Sequence, residues 1–172
     1  MGVPKAGLLM PDGRSMIETV RDAMERVCEQ VVLVGNPHGL RGHFVVTDEE
    51  PDSGPLAGIE ALLRSGVAGR YLVVPCDMPA IGRTLLTRLL DAGGPGAVHF
   101  EGEPLPCVVD ACLATETTRV LGDGVRALHL WQDAVGAKGV DATGVVLEDA
   151  DTPEEFIRLW RRFMEDDHDS GS

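Results

Sequence analysis

At 172 residues with 44% hydrophobic content, the chain fits one globular domain with room for a sizeable core. A net charge of −13 argues against nucleic acid as a partner, because that binding rests on Lys and Arg neutralising phosphates; small anionic ligands stay open where cations are local. No run of about 18 apolar residues can span a bilayer and no basic-then-apolar leader opens the chain, so a cytoplasmic protein without a membrane partner is expected.

The coarse pattern alternates helix and strand. Ser15 can cap a helix that carries Ile17, Val20, Ala23, Met24 and Val27 on one face, and Glu18 completes a capping box, which predicts a helix from Ser15 to about Glu29. Val31 to Val34 is a continuous β-branched run ending at Gly35-Asn36-Pro37, as a strand buried on both faces requires. Phe44 to Thr47 is a shorter strand candidate. Helical spacing follows from Gly58 to Leu63, then a buried strand from Arg70 to Val74 and a helix from about Gly82 to Ala92. Ala97 to Phe100 and Cys107 to Ala111 read as strands separated by the polar turn Glu101-Gly102-Glu103-Pro104. Ala114 to Leu121 and Val125 to Trp131 have helical spacing, Val145 to Leu147 reads as a last short strand, and Thr152-Pro153 opens a terminal helix with Pro in its first turn. The folded domain is expected over 1–163, with an acidic, disordered tail at 164–172.

Strands and helices alternating in this way imply an α/β sheet that is mostly parallel, with ligands at the carboxyl ends of its strands; Asn36, Asp48 and Asp77 all fall there. The four cysteines, Cys28, Cys76, Cys107 and Cys112, show no C-x-x-C pairing and sit in apolar segments, so buried reduced thiols are expected and a sulfur-held metal is not. His38, His43, His99, His129 and His168 have neither i,i+4 spacing nor a shared cluster with Cys and read as surface or satisfied polar residues.

Two segments carry chemistry. Asp52-Ser53-Gly54-Pro55-Leu56-Ala57-Gly58 is a glycine-punctuated loop that can open a helix, and such a start offers backbone N–H groups to an anion or a base edge. Val74-Pro75-Cys76-Asp77-Met78-Pro79 puts one carboxylate beyond an apolar strand, where it can hold a hard cation beside phosphates. Read alone, Asp77 is equally a helix N-cap or turn aspartate before Pro79.

Four blocks extend the pattern: Met1-Gly2-Val3-Pro4-Lys5-Ala6-Gly7-Leu8-Leu9, Gly54-Pro55-Leu56-Ala57-Gly58-Ile59, Pro75-Cys76-Asp77-Met78-Pro79 and Asp151-Thr152-Pro153-Glu154-Glu155. In this order, over nearly the whole chain, they resemble the molybdenum cofactor guanylyltransferases. The resemblance implies a three-layer, Rossmann-like nucleotidyltransferase fold. It also implies a Mg²⁺-dependent enzyme that moves GMP from GTP onto the terminal phosphate of the molybdopterin cofactor and releases pyrophosphate. Its partners would be GTP, the molybdopterin cofactor and other proteins of the cofactor pathway or of molybdoenzyme maturation. Asp77 would hold the metal, and Lys5, one of only two lysines, would pair with triphosphate oxygens. Gly54, Pro55 and Leu56 would meet the nucleotide, and Asn36 and Asp48 the guanosine portion. Asp149 and Asp151 stand where the family has asparagines near the metal and the acceptor. They keep the spacing with carboxylates, which can give a second metal contact or cap the terminal helix; capping by Asp151 is the preferred single role. Glu103-Pro104-Leu105 departs from the family's His-Pro-Leu.

The first block matches only the tail of the family's opening signature, Leu-Ala-Gly-Gly-x-Ser-x-Arg-Met-Gly-x-x-Lys, which follows a buried strand. The resemblance therefore implies a sheet without its first strand and glycine-rich loop, either because the start lies upstream of Met1 or because this is a shortened relative with impaired chemistry. The first account is preferred, since Met1-Gly2 falls on the signature's methionine. Transfer of CMP to the same cofactor, or nucleotide binding without catalysis, stand as the alternative functions.

Overall fold

The computed structural model describes residues 7–35, 45–46, 54–145, 147–148, 150 and 152–169, with the backbone alone for 45 and 162–169. Lys5, Asn36, Asp48, Asp149 and Asp151 lie outside these described residues.

Helix α1 spans Met16–Glu25, opened by the expected capping box: Ser15 Oγ accepts from Glu18 N, and the Glu18 carboxylate accepts from Ser15 N at 2.8 Å. It ends before the predicted Glu29 because the amides of Val27 and Cys28 both turn back onto Met24 O, at 3.0 and 2.8 Å. Two short strands follow, β1 (Leu33–Val34) and β2 (Val45–Val46), paired parallel with Leu33 opposite Val45 and Val34 opposite Val46. Helix α2 (Pro55–Ser65) starts earlier than the apolar spacing predicts, since Pro55 is preset for a first helical turn, and stops at Gly66 in the left-handed conformation.

The larger sheet holds β3 (Arg70–Val73), β4 (Ala97–Phe100), β5 (Glu103–Asp110) and β6 (Lys138–Val140) in the order β3-β5-β4-β6. β5 is antiparallel to both neighbours and β4 is parallel to β6, so the sheet is mixed, with β5 as the reversed strand. Its reversal follows from the tight turn at Glu101-Gly102, where Gly102 sits at φ 84°; a link this short can join only antiparallel strands. Glu103 and Pro104, expected in the turn, are the first residues of β5. The strand predicted at Val145 to Leu147 is a second correction at its described residues: Val145 and Leu147 pack against the core from outside any strand, and the strand pairing with β4 belongs to Lys138–Val140, a polar, glycine-containing edge segment with no apolar alternation to reveal it.

Helix α3 (Arg83–Asp91) lies between β3 and β4, α4 (Ala114–Gly122) follows a 3₁₀ turn at Ala111–Leu113, and α5 (Leu128–Ala134) leads to β6. The terminal helix α6 covers Pro153–Asp169, past Phe163, where the sequence reading ends the folded domain. Side chains alternate across the strands to feed two apolar layers. Tyr71, Ala97, Cys107 and Val109 meet Leu56, Ile59, Leu62 and Leu63 of α2, Val120 of α4 and Trp131 of α5. Leu72, Val98, Phe100 and Val108 meet Leu86 and Leu89 of α3, with Ala23 and Met24 of α1 alongside. Helices therefore cover both faces of the sheet, a three-layer α/β arrangement. A third, small cluster joins Met10, Met16, Ala150 and Leu159.

Candidate active site

Asp77 lies on a half-buried turn beyond the end of β3. Val74 and Met78, on either side of it, are anchored in the layer under α1 and α3. Met78 O accepts from Ile81 N at 3.1 Å, and Asp77 O accepts from Ala150 N at 3.0 Å. The cap of α3 is Gly82, not Asp77, so the reading of this aspartate as a helix N-cap falls away. The turn that remains is where a β3 carboxylate meets a ligand in an open α/β sheet.

α2 reaches the same side. It descends about 16 Å over its eleven residues and β3 climbs back about 13 Å over four, both packed in one apolar layer. Asp77, beyond β3, thus returns to the level of Gly54. Gly54 holds φ 81°, a conformation that glycine adopts without strain, and it brings Pro55 into the first helical position. The Leu56 side chain is fully buried in the core under α2, so what Leu56 can offer a ligand is backbone. Pro55 has no N–H, and Ala57 N bonds Gly54 O at 3.2 Å. Asn36 and Asp48 follow the register-matched ends Val34 and Val46 by the same two positions in sequence.

Among the described residues no group of three or more His, Cys, Asp or Glu side chains is placed to hold an ion. A carboxylate at Asp77 is compatible with Mg²⁺, which keeps several waters and is bound through one or two carboxylates plus substrate phosphates.

Other titratable groups sit apart. His99 and His129 share a cavity of about 150 Å³ with Glu103 and Asp133, between the β4–β5 hairpin and α5, on the opposite face of the sheet from the anchors of the Asp77 turn. Their separation in sequence gave no sign of that meeting. His99 Nδ1 bonds Phe100 O at 2.8 Å, and Gln132 Nε2 donates to Pro104 O at 3.0 Å. The cysteines are all free, but only Cys107 is fully inside; Cys28 and Cys76 are half-buried and Cys112 is exposed, a correction to four buried thiols. Burial pushes the Cys107 thiol up to about 12, and raises Cys28 as well. No helix among the described residues is long and apolar enough to cross a membrane.

Comparison with known proteins adds the decisive observation. A model described as the MobA-like NTP transferase domain matches residues 1–162. The chain belongs to the MobA-like NTP transferase family. Among similar relatives, a molybdenum cofactor guanylyltransferase of Xanthomonas euvesicatoria pv. vesicatoria is 30% identical over 92% of this chain and 87% of its own length. One from Ectopseudomonas mendocina is 33% identical over 76% of this chain and 70% of its own length. Of solved structures, molybdopterin-guanine dinucleotide biosynthesis protein A of Archaeoglobus fulgidus superposes with a TM-score of 0.76 at 20% identity, covering 95% of this chain and 92% of that one. The 2-C-methyl-D-erythritol 4-phosphate cytidylyltransferase of Thermus thermophilus gives 0.74 at 18%, covering 94% of each. The mixed α/β sheet of this MobA-like chain is thus a Rossmann-like nucleotidyltransferase fold.

Proposed function

We propose that this MobA-like protein transfers GMP from GTP to the molybdopterin form of the molybdenum cofactor, with release of pyrophosphate. The observation that carries the reading is Asp77, held on a half-buried turn beyond the carboxyl end of β3, the end where open α/β sheets bind ligands. Relatives named molybdenum cofactor guanylyltransferase, aligned over most of the chain, support the choice of donor and acceptor.

An oxygen of the acceptor's terminal phosphate attacks the α-phosphorus of GTP. A new P–O–P link forms, the bond between the α-phosphorus and the α–β bridging oxygen breaks, and pyrophosphate leaves with that bond's electron pair. The nucleophile is already anionic, so no strong protein base is needed, and the work is positioning and charge neutralisation. Asp77 would hold Mg²⁺, which would supply charge neutralisation at the phosphates when bound. Lys5 pairs with triphosphate oxygens. The Gly54 and Leu56 amides, with Asn36 and Asp48, hold the nucleoside portion. Asp149 and Asp151 would serve the acceptor; the preferred reading of Asp151 as the cap of α6 is corrected, since Thr152 caps it, its Oγ1 accepting from Glu155 N at 3.2 Å while its N donates to the Glu155 carboxylate at 2.7 Å.

Calorimetry and a pyrophosphate-release assay with GTP, Mg²⁺ and molybdopterin cofactor test this. Asp77→Asn is expected to weaken Mg²⁺-dependent GTP binding and to lower turnover about 10²-fold or more, the scale of losing one well-placed charge stabiliser. Unchanged affinity together with unchanged turnover would remove Asp77 from the site. In competition, GTP is expected to outrank CTP and ATP; CTP ranked first would replace the guanylyl assignment with a cytidylyl one on the same fold.

A further inference from the structure

We infer that docking of α6 positions the Asp77 turn, through Ala150, and so makes Leu159 and Ala150 positioning residues for a site that neither of them touches. The inference rests on the reading of Asp77 as the metal-holding carboxylate.

A carboxylate on a turn is useful for metal and phosphate chemistry only when its backbone is held to within about 0.5 Å, and that precision comes from residues around it. The Asp77 turn has its own anchors in Val74 and Met78. It also has a link to a distant part of the chain, the 3.0 Å bond from Ala150 N to Asp77 O.

The donor of that bond is fixed in place. Ala150 is completely buried, enclosed by Met10, Met16 and Leu159, with Leu8 and Phe156 packed around them. Two separate elements meet in this cluster. Phe156 and Leu159 come from α6, whose first turn is closed by Thr152 and Glu155: Thr152 N donates to the Glu155 carboxylate at 2.7 Å, and Glu155 N to Thr152 Oγ1 at 3.2 Å. Leu8 and Met10 come from the turn before α1 and Met16 is the first residue of α1, the turn being closed by Met10 N to Arg14 O at 2.7 Å and Met16 N to Leu8 O at 2.9 Å. Ala150 therefore stands where the two ends of the described chain are packed together, and it passes that packing to Asp77 by one backbone bond. A side chain as small as alanine lets the backbone come close enough to reach the turn. If Leu159 is truncated, the cluster loses its buried α6 side chain, Ala150 gains freedom, and Asp77 loses its outer restraint while keeping its own side chain.

The test uses the whole chain as wild type, Leu159→Ala, the volume-conserving Leu159→Met, and Ala150→Gly, with far-UV dichroism to confirm folding. Amide exchange without nucleotide or metal is expected to speed up over residues 74–81 in Leu159→Ala and Ala150→Gly, with β5 unchanged and Leu159→Met close to wild type. The Mg²⁺ concentration that half-saturates GTP binding, read by calorimetry, is expected to rise about 10-fold or more in the first two variants, the scale of losing support behind a metal ligand, and to return in Leu159→Met. Wild-type Mg²⁺ demand and wild-type exchange in a folded Leu159→Ala would overturn the inference. Should that variant fail to fold, Ala150→Gly decides by the same two measurements. An Asp77→Asn control that leaves the Mg²⁺ demand unchanged would instead sink the metal role beneath the inference, and the exchange measurement would still tell whether α6 restrains the turn.

Discussion

Gly54 and Leu56 stand side by side at the start of α2 and serve it in different ways. At Gly54 the backbone is at φ 81°, and a Cβ placed there would meet nothing within 4 Å. Gly54→Ala is therefore expected to cost about 1–2 kcal/mol through backbone strain alone. Gly69→Ala, at a position with equally open space and no positive φ, is expected to be neutral or to stabilise by up to about 1 kcal/mol, because it narrows the unfolded ensemble. Urea unfolding of the two variants checks the contrast, and equal costs would remove strain as the reason for glycine at 54. The thiols separate just as sharply. Cys107, pushed up to about 12 by complete burial, has essentially no thiolate at pH 8, whereas Cys112 is exposed. A disulfide reagent at pH 8 is expected to label Cys112 in the native protein and Cys107 only after unfolding; early labelling of Cys107 would contradict the packing of β5. The sequence could name Gly54 as special because a glycine before proline at a helix start is a local signal. It could not show that Leu56 faces inward, since helical phase is set by where the helix begins, and apolar spacing placed that start too late.

At the level of elements, local chemistry was the readable part. The capping box of α1 follows from Ser15 and Glu18 alone, and the structure has it, with Ser15 Oγ and N both donating to the Glu18 carboxylate, at 2.6 and 2.8 Å. Those bonds hold Glu18 below its ordinary value of 4.5, the Ser15 side-chain bond contributing most and its backbone bond next. A depressed carboxylate stabilises the fold above its unfolded value, and that contribution is lost as pH falls through the lower folded value. Ser15→Ala is accordingly expected to cost about 1 kcal/mol at pH 7, with the gap to wild type closing as pH drops below about 4.5. Chemical denaturation across pH 3 to 7 measures this, and a gap independent of pH would leave the Glu18 interaction without a part in the cap. Pairing between distant strands was less readable. Val145 and Leu147 come from a segment of strand-like composition but supply apolar cover from outside any strand, while Lys138–Val140 pairs with β4 through backbone groups that composition does not report. Helix α6 runs to Asp169, and Phe156 and Leu159 pack its first turns into the small cluster with Met10, Met16 and Ala150.

For the molecule as a whole, the sheet comes in two pieces under one helix. β1 and β2 form one parallel pair, β3 is the edge of the four-stranded sheet, and α2 covers both, with Val46 beside Tyr71 in the same apolar layer. Among the described residues no strand joins β1 to β3, although the crossover through α2 sets them side by side in the manner of a doubly wound sheet. Leu56, Ile59, Leu62 and Leu63 of α2 join Val46 and Tyr71 in a single apolar layer, so among the described residues it is the buried face of α2, rather than strand pairing, that couples the two sheets.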